Sequence, residues 1–222
     1  MSARPSALAT NVDEVLSEAP RWDLSDLFAG PDDPRAKALL DEAASEAINL
    51  EATYKGKLAT LTGHELGELV RAYERLEEKL GRVSSYASLL FAAHRDDAEI
   101  GRFYQDVEER VNAIETRLLF VTLELNKLDD VELDSKIGAS TVLARYRPWI
   151  HNVRAFRPHQ LADEIERVLH EKQITGRAAW VRLFDETLAS LRFPIDGREL
   201  TAQQAFDLLS AKDRAQREAA AT

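Results

Sequence analysis

Two short stretches set an imidazole beside a carboxylate where a helix is expected: His64-Glu65-Leu66-Gly67-Glu68 and His170-Glu171-Lys172-Gln173-Ile174. Both begin as the zinc-binding pattern H-E-x-x-H begins. That pattern works because two imidazoles one helical turn apart grip the metal while the glutamate between them activates a water. Here Glu68 and Ile174 stand where the second imidazole belongs. Each pair therefore reads as an exposed helical histidine beside a glutamate. His94, His151 and His159 add nothing to them, because Pro158 keeps the last two off one continuous helical face. On these grounds no catalytic, metal-binding or cofactor-binding residue is assigned, and no cofactor is expected on this chain.

Other chemistries fail on residue type. The absence of cysteine removes disulfides, thiolate metal sites and thiol nucleophiles together. No G-x-S-x-G occurs, and the glycines never cluster as a phosphate-binding loop requires. The carboxylates from Glu74 to Glu78 sit among Arg75 and Lys79, the pattern of a solvated helix face. A net charge of −10, from 39 acidic and 29 basic residues, disfavours nucleic acid as a partner. One stretch departs from that background. Between Asp134 and Asp163 there is no acid, while Lys136, Arg145, Arg147, Arg154 and Arg157 interleave with Tyr146, Trp149, His151 and Phe156. In so acidic a chain these arginines are expected to pack against acidic helices of the same protein, their stems covering apolar surface. No apolar run is long enough to span a bilayer, and the first 20 residues lack the form of a secretory signal, so no membrane partner and a cytoplasmic location are expected.

The elements that carry these residues are helical. Ala, Leu, Glu and Arg dominate the chain, and all four favour helices. Residues 1–20 read as a flexible leader, followed by a compact turn with apolar groups at Trp22, Leu24, Leu27 and Phe28. Asp33-Pro34 opens a helix with a face through Ala36, Leu40, Ala43, Ala47 and Leu50, and Gly56 ends it. Thr62 and Glu65 have capping-box spacing before a face from Leu66 to Leu90, with Gly81 a point of bending or division. A cap at Asp96 precedes the clearest pattern, Phe103, Val107, Val111, Ile114, Leu118, Val121, Leu125 and Leu128, stepping by three and four. Shorter helices interrupted at Pro148 run from Ile137 to Val153, and Phe156-Arg157-Pro158 reads as an extended link. Helices over Leu161 to Gln173 and from Arg177 are broken by Thr175-Gly176. Then the period changes. Leu191, Phe193 and Ile195 alternate into Asp196-Gly197, a two-residue hairpin turn, and Thr201 caps a last helix. The fold class is all-α, with one short β-hairpin near residues 191–200.

Several local signatures then fall in order. Trp22 to Phe28 resembles the opening of oligoendopeptidase F and its relatives in the thimet oligopeptidase class of zinc metallopeptidases. Thr122-Leu123-Glu124-Leu125-Asn126 is similar to that family's helix end, and Arg157-Pro158-His159-Gln160-Leu161, with Glu164 and Glu166, to its next connection. Glu171 to Glu186 is the longest match; the Asp196-Gly197 hairpin and the Asp213-Arg214 helix follow. The resemblance runs over roughly residues 20–222 and is specific in its joint order.

It implies a helical N-terminal lobe over 21–190, one wall of a peptide channel, and the start of a catalytic domain over 191–222, cut inside a helix. Zinc and its H-E-x-x-H ligands would lie beyond Thr222, so the chain alone is expected to be inactive and to expose apolar surface. The implied function is hydrolysis of short peptides by the whole enzyme. The alternative is a helical interaction module whose 103–128 face packs on a partner helix.

Overall fold

Asp33 caps the first helix as its position requires, accepting from the Arg35 backbone N–H, with Pro34 at the start. The computed structural model describes residues 22–221. The leader expected over 1–20 lies outside the described residues. Three long helices make the body: α1 (Pro34–Tyr54), α2 (Gly63–Ala93) and α3 (Ala98–Lys127). Three shorter ones follow, α4 (Asp130–Gly138), α5 (Thr141–Arg145) and α6 (Arg147–Ala155). Then come α7 (Asp163–Gln173), a π-helical turn (Ile174–Ala178) and α8 (Ala179–Ser190). Strands β1 (Phe193–Ile195) and β2 (Arg198–Leu200) precede α9 (Ala202–Leu209) and α10 (Arg214–Ala221). The all-α expectation with one hairpin holds.

The apolar stripes read for the three long helices are the stripes that are buried. Ala36, Leu40, Ala43 and Ala47 of α1 meet Leu76, Leu80 and Val83 of α2 and Val107, Val111, Ile114 and Leu118 of α3. Phe28 closes this core, its ring 5.2 Å edge-on from Tyr86. A second core joins the first half of α2 to the last half of α3 and to α4, α5 and α6 through Leu66, Leu69, Val121, Leu125, Leu133, Ile137, Leu143 and Ile150. Burying each such leucine contributes roughly 1.5–3 kcal/mol. The α3 face is thus taken up within the chain, its first half by α1 and α2 and its second half by α2 and α4 to α6. Ile195, Leu200 and Ala205 form a small third core under the hairpin.

Two glycines permit close approach. A Cβ on Gly63 would lie 2.2 Å from the Lys136 carbonyl oxygen, and one on Gly67 3.0 Å from the Leu143 backbone nitrogen. These contacts seat α4 and α5 against the start of α2. The Thr62–Glu65 capping box forms in full.

Four local expectations need correction. The α3 cap is Asp97, not Asp96; its carboxylate accepts from the Glu99 and Ile100 N–H groups. Gly81 neither bends nor divides α2, because buried Leu80 and Val83 pin the backbone on either side. Pro148 does not interrupt a helix but begins α6, since a first-turn residue needs no N–H partner within the helix. Phe156-Arg157-Pro158 is not extended: Phe156 is right-handed helical and Arg157–His159 form a 3-10 turn closed by the Gln160 N–H on the Arg157 carbonyl. Thr175-Gly176 does break the helical path, with Gly176 at φ −102°, ψ −108° inside the π turn. The hairpin turn has Asp196 and Gly197 both at positive φ, as a two-residue connection of this kind requires.

Candidate functional site

The segment from α7 through α8 lies against α3 and the end of α2. The Asn112 side-chain amide donates to the His170 carbonyl at 2.9 Å, and Lys127 pairs with Asp163 at 2.6 Å. This seating turns the His170 imidazole inward. Its side chain is only 18% exposed, and its Nε2 stands 3.6 Å from Glu115 of α3. The expectation of an exposed histidine beside Glu171 is therefore wrong for His170, because α3 supplies a wall that the local sequence does not reveal. His64 is exposed, and its neighbour Glu65 serves the capping box.

Around Glu115 the structure gathers carboxyl groups that burial keeps from ionising easily. Burial, then the nearby Glu77 and Glu108, push the Glu115 pKa up to about 7. Glu77 and Glu108 are also raised, both by burial. Burial lowers His170 below its ordinary value, outweighing the raising effects of its backbone contact with Asn112 and of Glu171. Burial thus disfavours the charged form of both partners, which weakens the contact as an ion pair.

Beside this cluster a cleft of about 570 Å³ opens between the junction of α2 and α3 and the π turn with α8. Its walls combine apolar and polar groups. Phe91 stacks on Tyr104 with centroids 4.8 Å apart, Arg95 pairs with Asp185 at 3.2 Å, and Arg182 pairs with Glu186 at 3.1 Å while donating to Gln105. A π turn inserted between two helices, as here at the cleft edge, often marks a functional position. On α8 itself, Trp180 and Phe184 are 71% and 61% exposed, and Leu183 and Leu188 are also open to solvent. With Ile165, Val168 and Leu169 of α7 they make an uncovered apolar surface.

The basic stretch behaves as an internal buttress. Arg154 donates to the Leu125 and Leu128 carbonyls and to Asp130; Lys136 donates to the Ala59 and Leu61 carbonyls; Tyr146 donates to Glu74 at 2.6 Å. Two of its side chains thus satisfy helix ends and loops of the same chain, and the third ties it to the middle of α2. Glu124, within one of the sequence signatures, accepts from the Gly56 and Leu58 N–H groups and ties down the turn after α1. That role follows from a contact 68 residues away in sequence and had no local signal.

Among the described residues no group of three His, Cys, Asp or Glu side chains comes together as a metal would need. None of their helices is long and apolar enough to cross a membrane.

Comparison with known proteins bears on the same segment. The family model described as oligopeptidase F matches residues 124–193, from the end of α3 to β1. No curated protein matches the chain significantly. Among solved structures, the crystal structure of oligoendopeptidase-F from Enterococcus faecium shares the fold with a TM-score of 0.73 at 20% identity. The match covers 83% of this chain and 37% of that one. The ordered signatures, the family match over 124–193 and the shared fold agree with one another.

Proposed function

We propose that this chain supplies the helical N-terminal lobe of a zinc-dependent, cytoplasmic oligoendopeptidase that hydrolyses short peptides. The observation that carries the proposal is the coincidence of the family-matched stretch with the α7–α8 unit, whose apolar residues stand uncovered beside a cleft of mixed apolar and polar lining. A helical wall of this kind suits a channel that admits extended peptides and excludes folded chains by sterics. In this reading 21–190 form the lobe and 191–222 open the catalytic domain; the separate small core under the hairpin supports that boundary.

The described residues do not fit the zinc that the family implies, since they assemble no ligand set. No catalytic step is therefore derived for them, and hydrolysis is assigned to residues of the complete enzyme. The chain's own contribution is positional: it shapes the cleft and offers apolar surface.

The test compares the 222-residue chain with the same polypeptide extended through its downstream coding sequence. The readout is cleavage of an internally quenched peptide, with and without a chelator. The expected result is no turnover from the shorter chain and chelator-sensitive turnover from the longer one. A downstream reading frame without H-E-x-x-H, or an extended protein that leaves the peptide intact, overturns the proposal.

A further inference from the structure

A second, smaller pocket of about 380 Å³ lies where the end of α3 meets the 3-10 turn and the first turn of α7. It is distinct from the cleft beside α8, and it joins two of the sequence signatures that lie more than 30 residues apart. Asn126 closes the first signature and is only 7% exposed; its Oδ1 is buried and accepts no hydrogen bond. Gln160 belongs to the second. Its amide nitrogen donates to the Leu123 carbonyl at 3.3 Å, which leaves its Oε1 buried and likewise unpaired. Glu166 takes the Leu161 N–H on one carboxylate oxygen at 2.7 Å, and its other oxygen has capacity to spare.

Leaving a buried acceptor unpaired is costly, so two beside one pocket need an explanation. The two unmet groups are acceptors, and Glu166 is the one carboxylate in the lining, which His159 also joins. An anion is repelled. The complementary ligand is a cationic donor, and a primary ammonium carries three N–H bonds for three acceptors. Val153 and the ring of Phe156, which is exposed at the rim, offer an apolar surface for an attached alkyl chain and a face for the cation itself.

We propose that Asn126, Gln160 and Glu166 form a binding site for a primary ammonium group carried on a short apolar chain. The proposal does not depend on the peptidase reading. It stands or falls on the unpaired acceptors.

The test follows the side-chain amide resonances of Asn126 and Gln160 in the whole 222-residue chain by NMR. Probes are n-butylammonium, n-butyltrimethylammonium and n-butanol at constant ionic strength. The expected result is saturable shifts with butylammonium and binding weaker by about tenfold or more for the other two, equivalent to about 1.4 kcal/mol. Glu166→Gln retains an acceptor for the Leu161 N–H but removes the charge, and should weaken butylammonium by about tenfold as well. Gln160→Met provides a second variant should the first alter the fold, and should also weaken binding. A dipeptide with a free N-terminus, set against an N-acetyl lysine amide, shows whether the α-amine or the lysine side chain is the natural source. No saturable shift, equal response to the quaternary probe, or undiminished binding by the folded variants would overturn the site.

Discussion

The His170 Nε2 on α7 and a Glu115 carboxylate oxygen on α3 stand 3.6 Å apart, with Glu77 and Glu108 raising the cost of any charge on Glu115. Docking α7 on α3 covers both groups at once. The contact is therefore a place where packing and protonation are tied together, and its two members titrate in opposite senses.

In the unfolded chain Glu115 loses its proton near its ordinary value of 4.5, and in the folded protein only at about 7. Between those values the folded state holds a proton that the unfolded state has released. This term raises stability as pH falls from 7 towards 4.5 and is absent above 7. His170 acts oppositely: its lowered pKa means that protonation favours unfolding as pH falls through 6.5. Glu115→Gln removes the first effect alone. In urea melts the variant should exceed the parent at pH 8, and the gap should close towards pH 5. A variant less stable than the parent at pH 8 would show that Glu115 ionises freely in the fold.

Gly63→Ala sets a methyl group 2.2 Å from the Lys136 carbonyl oxygen, a backbone atom that cannot swing aside. The expected loss is about 1–3 kcal/mol, as for overpacking elsewhere. Gly81→Ala is the opposite case. It lies in the exposed interior of α2 with no atom within 4 Å of the new Cβ, and should gain up to about 1 kcal/mol. Chemical denaturation of the two variants checks both signs.

Arg154 bridges the end of α3 to α6 by donating to the Leu125 and Leu128 carbonyls at 2.7 and 2.9 Å. Arg154→Met keeps much of the stem and deletes these donors, taking the guanidinium from the Leu128 carbonyl and leaving the Leu125 carbonyl only the Leu128 N–H. A loss of about 2–3 kcal/mol is expected. Asp130→Asn, at an exposed partner of the same guanidinium, should cost far less, and the ranking is read from thermal melts.

The uncovered face of α8 should bind an apolar dye and promote self-association. Trp180→Ser combined with Phe184→Ser removes its two largest exposed rings without touching a core. Dye fluorescence should fall while the thermal midpoint stays unchanged. Undiminished dye binding would place the sticky surface elsewhere.

Much of this architecture was written locally. The stripe from Val107 to Leu125, the Asp33 and Thr62 caps, the Gly56 stop and the Asp196-Gly197 turn each depend on neighbours within a few residues, so spacing alone located them. The ordered signatures likewise pointed to the oligoendopeptidase F family, and the family match agrees over 124–193. What spacing could not supply was company. The burial of His170 and the unpaired amide oxygens of Asn126 and Gln160 arise where α7 and the 3-10 turn settle on α3, up to 58 residues away in sequence, and Glu77 of α2 meets Glu108 and Glu115 of α3 only where those two helices pack. A side chain's protonation and unmet hydrogen bonds depend on the dielectric and the partners that tertiary packing brings to it. Local periodicity records which face is buried, and only the fold decides what that face is buried against.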